Sequence, residues 1–313
     1  MSVTALHRKT FKQGSKTYYN SSVFFPDDVR EEVFILYGFV RVADNYVDSV
    51  PQDVEGFVLF RNAYRRALGG KPSGDRIIDS FVDLMQRRNL EPEWVDAFLH
   101  SMELDLYKAS YDSIDETLEY IYGSAEVIGL FMARLLGLPE ESLASARMQG
   151  RAMQYINFIR DIDEDAAMDR RYLPIGASGL TALDRAAAHA DRRRFEAFIR
   201  EQIELYRAWQ AEAEAGYRFI PRRYLIPIKT ASDMYGWTAD RIYRNPLLVF
   251  EKKVKPSKPR VILRMLRNTL TSLDRPGGVP VRPARSSRSP APPLPHSLQS
   301  RRRQPAPTAS GRR

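Results

Sequence analysis

Four polar side chains, Tyr37, Arg41, Asp44 and Asp48, follow one another at offsets of 4, 7 and 11 residues. At about 100° per residue, an α-helix gathers them into a sector of roughly 60°. Val33, Leu36, Phe39, Val40, Val42, Ala43 and Val47 leave that helix apolar nearly all round, so the stripe is expected to be buried. Two carboxylates about one turn apart in such surroundings are costly unless paired or metal-bound, which points to a shared cation.

The logic repeats downstream. Gln154, Asn157, Asp161 and Asp165 fall within about 80° of each other on one helix face, with Arg160 at the flank. Oxygen donors without histidine or cysteine favour a hard cation: magnesium, or manganese in its place, takes one or two carboxylates and completes its shell with water and substrate phosphate. The implied ligand is a diphosphate, whose remaining oxygens Arg41 and Arg160 would meet with forked hydrogen bonds. A single Asp-x-x-x-Asp spacing is usually a solvated helix face. Two stripes, both in apolar helices and both beside an arginine, favour a binding site.

The elements that must position these stripes are helices. Apolar residues recur at helical spacing through nearly the whole body. The spacing predicts a helix from about Pro26 to Asp48 and another reaching Leu68 before Gly69-Gly70. Pro92 stands where a first-turn proline belongs. A capping box at Ser113-Ile-Asp-Glu116 opens a helix lasting until Gly137, and Pro139-Glu-Glu opens a long one to about Ala167. Further helices are expected near 193–217, 223–241 and 257–268. No hairpin signal, glycine-rich phosphate loop or fixed-period repeat is present.

The 313 residues, 43% hydrophobic, are ample for a core. Without cysteine there is no disulfide, thiolate metal site or cysteine nucleophile. No apolar run is long enough to span a bilayer, and the expected location is cytoplasmic with peripheral membrane contact. Of the 48 Lys and Arg, nine lie in residues 275–313, which hold no acid; the other 39 face 39 acids. The body is therefore formally neutral, and no specific nucleic-acid partner is expected. The Pro/Arg-rich stretch 275–313 reads as a disordered tail on a catalytic domain of residues 1–274. Lys252, Lys253, Lys255, Lys258, Arg260, Arg264 and Arg267 form a basic stretch able to meet anionic headgroups.

These residues resemble the phytoene/squalene synthase family over about residues 11 to 255. Gly14-Ser15-Lys16-Thr17-Tyr18-Tyr19 is similar to the family's amino-terminal Ser-Lys-Ser-Phe element, and Leu36 to Asp48 to its first acidic motif. Ser101-Met-Glu-Leu-Asp-Leu106 and Gln154 to Pro174 resemble two further family segments, and Tyr235 falls where the family has a diphosphate-contacting tyrosine. The resemblance implies an all-α, single-domain bundle around a central cavity. It implies that Asp44, Asp48, Asn157, Asp161 and Asp165 hold magnesium. It further implies that Ser15, Lys16, Thr17, Tyr37, Arg41, Gln154, Arg160 and Tyr235 contact isoprenoid diphosphates, and that Tyr122 lines the cavity. Two positions depart from the family pattern. Asn45 replaces an aspartate but points about 100° off the stripe. Glu126 stands where many relatives have glycine; the two readings are a pairing with Arg134 or Arg151, or an altered cavity and thus an altered substrate.

The chemistry so implied is head-to-head condensation of two allylic diphosphates through a cyclopropyl diphosphate. Tyr18, Tyr19, Phe39, Tyr122, Phe131 and Phe158 are the expected walls of a dry cavity. Two C20 substrates giving phytoene are favoured over C15 substrates giving dehydrosqualene or, with NADPH, squalene. A non-catalytic assembly factor of the same superfamily and a terpene cyclase are the other readings. Both acidic pairs and both arginines favour catalysis over the former, and the Ser-Lys and Met-Glu-Leu-Asp-Leu elements favour the head-to-head enzymes over the latter.

Overall fold

The computed structural model describes residues 25–251 and 253–271. The Ser15 to Tyr19 element, Lys252 and the 274/275 boundary with its tail lie outside them. Among the described residues every regular element is a helix, and the single β-bridge joins Ser110 to Arg171.

Helix α1 (Asp27–Asp48) carries the first acidic stripe and is followed by α2 (Val54–Leu68), α3 (Arg76–Arg88) and α4 (Pro92–Leu104). The chain's capping chemistry sets these limits. Asp53 accepts from the Gly56 amide at 2.8 Å to start α2, whose last turn closes on the Gly69 amide. Pro92 occupies the first turn of α4, where its missing N–H costs nothing. One wide apolar cluster unites α1 to α4, with Phe39 stacked on Phe81 at 4.0 Å between ring centroids.

The helix expected from Ser113 to Gly137 is interrupted. Ser113 caps α5 (Ile114–Ile121) by accepting from the Glu116 amide; a π-turn then runs Tyr122–Glu126, and α6 (Val127–Leu135) follows. The expected long helix from Pro139 is also divided. It opens as a short 3₁₀ turn, Glu140–Ser142, continues as α7 (Leu143–Arg160), and breaks at Asp161 before α8 (Ile162–Ala167). Asp161 leaves helical geometry (φ −101°, ψ 15°) and stands between the two helices.

The remaining helices are α9 (Arg185–Ala190), α10 (Arg192–Glu214), α11 (Arg222–Arg244), α12 (Leu248–Glu251) and α13 (Lys258–Thr271). A second apolar cluster joins α5, α7, α10 and the C-terminal half of α11, with Phe158 stacked on Tyr172 at 4.2 Å. Helices α6 and α7 cross closely. A Cβ on Gly129 would lie 2.1 Å from the Ala146 carbonyl oxygen, and one on Gly150 would lie 2.2 Å from that of Ala125. Glycine at these two positions is what allows the two backbones to touch.

Candidate active site

A cavity of ≈ 620 Å³, open on one side, is lined by α1, the π-turn, α6, α7, the segment from Ala213 to Ile220 and α11. Along α1 its wall changes character: Val33 and Leu36 give way to Tyr37, Val40, Arg41 and then Asp44. Helix α7 lines the cavity with Ser145, Ala146, Gln149, Gly150, Met153, Gln154 and Asn157. Asp44 and Asn157 are the last lining residues of the two helices, each near its helix's C-terminal end. Asp48, Asp161 and Asp165 stand one or two turns further along, beyond the wall itself.

At the first stripe, Arg41 Nη1 donates to Asp44 Oδ2 at 2.5 Å, while Asn45 is exposed and turned away as its helical offset requires. Burial raises the Asp44 carboxyl to about 6; the charge of Asp48 adds to this and Arg41 opposes it. The Tyr37 hydroxyl is raised too, mainly by burial.

At the second stripe, Arg160 Nε donates to Asp161 Oδ1 at 2.8 Å, and Lys253 reaches the same oxygen at 3.2 Å and also binds Glu164. Arg41 and Arg160 thus each bond an aspartate of their own stripe. Lys253, grouped by sequence with the basic stretch, is instead committed to this acidic cluster. Burial, reinforced by Asp161, raises Asp165 to about 8.

A third carboxylate links the two stripes, and the spacing of residues gave no sign of it. Asp105 is buried and accepts from Tyr120 at 2.7 Å and Tyr172 at 2.8 Å. Its charge contributes to the upward shifts of both Asp44 and Asp165. Asp105 itself is raised to about 6 by burial, against the pull of Arg170 and the two hydroxyls. Arg170 Nη1 donates to Asp48 Oδ1 at 3.1 Å, and Nη2 to the Val47 carbonyl at 2.8 Å. The segments Met-Glu-Leu-Asp-Leu and Arg-Arg-Tyr-Leu-Pro held these residues in plain view, but only the fold brings them together.

This arrangement suits a hard cation. Carboxylates raised by burial and, to a lesser degree, by their like-charged neighbours mark a site short of positive charge. Asn157, in the cavity wall, has a buried Oδ1 with no hydrogen-bond partner, an acceptor oriented for something beyond the chain. Among the described residues no three acidic or imidazole groups already converge on one point. Each pair would therefore share its cation with water and a ligand's oxygens, as magnesium prefers.

Residues 11–260 match the squalene/phytoene synthase family profile. The chain belongs to the squalene/phytoene synthase family. It is accordingly a prenyltransferase of the head-to-head condensing class. It is 25% identical to the 15-cis-phytoene synthase of Pantoea ananas, over 88% of this chain and 94% of that one. It is 26% identical to phytoene synthase 2 of Solanum lycopersicum, over 80% and 84%. In fold it is similar to a dehydrosqualene synthase (TM-score 0.77, 19% identity, 87% and 97% covered). It is also similar to the squalene synthase of Alicyclobacillus acidocaldarius (TM-score 0.70, 20% identity, 77% and 93% covered).

Within this family fold Gln154 and Tyr235 line the cavity, and the Tyr122 ring packs beneath Arg147, 5.2 Å from the guanidinium carbon. Phe39, Phe131 and Phe158 are likewise buried in the two apolar clusters rather than in the cavity wall. Among the described residues the rings that reach the cavity are Phe25, Tyr37, Tyr217 and Tyr235, and apart from Arg41, Asp44, Gln149, Gln154 and Asn157 the rest of the wall is aliphatic or small. Glu126 is fully buried and accepts from Arg147 Nε at 2.9 Å and Arg151 Nε at 2.6 Å. Arg134, the other expected partner, turns outward to Glu140 at 2.7 Å.

Proposed function

We propose that this family member condenses two geranylgeranyl diphosphates to phytoene through a cyclopropyl diphosphate, releasing two diphosphates and a proton. The observation that carries the reading is the cavity: a largely apolar body with Asp44, Arg41, Gln154 and Asn157 in its wall toward the C-terminal ends of α1 and α7, where Asp48, Asp161 and Asp165 follow along the chain. It suits a ligand with a long hydrocarbon tail and a polyanionic head. The phytoene synthases to which the chain is similar over most of both lengths support C20 substrates.

In this reading Asp44, Asp48, Asn157, Asp161 and Asp165 hold magnesium. When bound, magnesium would supply the positive charge that stabilises diphosphate as a leaving group. The chain's own part is positioning and exclusion. Tyr37, Arg41, Gln154, Arg160 and Tyr235 orient the two diphosphates, together with Ser15, Lys16 and Thr17 outside the described residues. As a diphosphate enters, Arg41 and Arg160 exchange their aspartate partners for its oxygens, so the aspartates become free to act as ligands. The aliphatic wall keeps water from the allylic cation until the second substrate's double bond attacks it.

The test is to incubate purified protein and magnesium with labelled C15 or C20 diphosphate, each with and without NADPH, and to analyse the extracted hydrocarbon. A C40 product from C20 without reductant supports the reading. A C30 product moves it to dehydrosqualene or, if reductant-dependent, squalene. No diphosphate release from either substrate would replace catalysis with an assembly role.

A further inference from the structure

Helix α13 (Lys258–Thr271) docks the wrong way round for a helix in water. Its only buried residue is Asn268, whose Nδ2 donates to Asp233 Oδ2 at 2.8 Å and to Thr230 Oγ1 at 3.1 Å on α11. Arg264 Nε pairs with the same Asp233 at 2.8 Å, and Arg260 packs over the Trp237 ring at 4.9 Å. The face turned to the protein is thus held by polar contacts. The opposite face carries Ile262, Leu263, Leu266 and Leu270, exposed at 59%, 70%, 57% and 64%. A globular protein normally inverts this arrangement.

These four side chains lie within about 100° of one another around the helix axis. Arg260 and Arg267 border the strip on one side and Lys258 on the other. Residues 252–271 contain seven bases and no acid. Two of the seven, Lys253 and Arg264, are neutralised by Asp161 and Asp233. An apolar strip edged by cations is the pattern of a helix that lies in the headgroup region of an anionic bilayer. No described helix is long and apolar enough to cross one.

We propose that α13 is a membrane-docking helix: Ile262, Leu263, Leu266 and Leu270 enter the boundary of an anionic lipid surface while Lys258, Arg260 and Arg267 meet its headgroups. Charge argues against the alternative occupants. Residues 1–24 carry four Lys and Arg and no acid, and residues 272–313 carry nine arginines against one acid, so neither end of the chain complements this face. A second copy of the helix would set the same bases against each other. An interfacial helix on this side would also give a hydrocarbon product a route into lipid, although the proposal does not depend on which prenyl substrate is used.

The test is co-sedimentation of the full chain with phosphatidylcholine vesicles, with and without about 30 mol% phosphatidylglycerol, in low and high salt. Binding is expected only to the anionic vesicles and should fall with salt. The double variant Leu263→Ser/Leu266→Ser should weaken it about tenfold or more with unchanged thermal melting, since both side chains are already in water. Arg260→Gln/Arg267→Gln should also weaken it, whereas Arg301→Gln/Arg302→Gln/Arg303→Gln should not. Unaltered binding by the leucine variant, or its loss with the 301–303 variant instead, overturns the proposal. Light scattering adds a further check: if the leucine variant converts an oligomer to a monomer and leaves lipid binding unchanged, the strip is a self-association face.

Discussion

Arg170 donates to Asp48 across 122 residues of sequence, at 3.1 Å from Nη1 to Oδ1, and so ties the loop after α8 to the C-terminal end of α1. The same guanidinium opposes the upward shifts of Asp105 and Asp165. One cation therefore serves both acidic stripes. Arg170→Gln is expected to lower kcat/KM by about tenfold to a hundredfold. It should also raise the magnesium concentration needed for half-maximal rate, which steady-state kinetics over a magnesium titration will measure.

Protons and magnesium should compete for the same oxygens. With Asp44 raised to about 6 and Asp165 to about 8, magnesium affinity should rise as pH increases across that interval. Calorimetry in buffers of different ionisation enthalpy should register protons released on binding. Asp105→Asn removes a charge that raises both groups and should move the profile to lower pH.

The same shifts fix the sign of the metal-free protein's stability. A carboxyl whose folded-state pKa lies above its unfolded value stabilises the fold below the unfolded value and loses that contribution as pH rises through the folded one. The shifts of Asp44, Asp105 and Asp165 all have this sign. Their combined contribution should make the melting temperature without metal fall from about pH 5 to pH 8. Added magnesium should recover most of the loss at pH 8.

Glu126→Gln should destabilise the fold by about 3 kcal/mol, because it removes a fully buried carboxylate and leaves Arg147 and Arg151 without their partner. Denaturant melts will measure it. Because Glu126 joins the π-turn to α7 below the cavity wall, the loss of activity should track the loss of folded protein.

Ala133→Phe fills part of the cavity from α6, where the native methyl lines the wall. If the cavity holds two C20 chains, the variant should lose C40 product and retain or gain activity with C15 diphosphate. Chromatography of the extracted hydrocarbons would show the change in length.

Helical spacing and capping act within a few residues of chain, so the helical class, the limits of α1, the end of α2, the start of α4 and the two acidic stripes were legible in the sequence. The expectation of a hard cation and a diphosphate ligand rested on donor type: oxygens, arginines and no thiol. The sequence did not single out α3 or the π-turn, and it joined α7 to α8. Local periodicity does not register the break at Asp161, whose carboxylate pairs with Lys253, 92 positions away. Only the tertiary structure decided that Asp105 and Arg170 connect the stripes, that Glu126 selects Arg147 and Arg151 over Arg134, and that Phe39, Phe131 and Phe158 belong to the core. An aromatic ring gains about the same free energy from burial in a core or in a cavity wall, so residue type leaves that choice to packing.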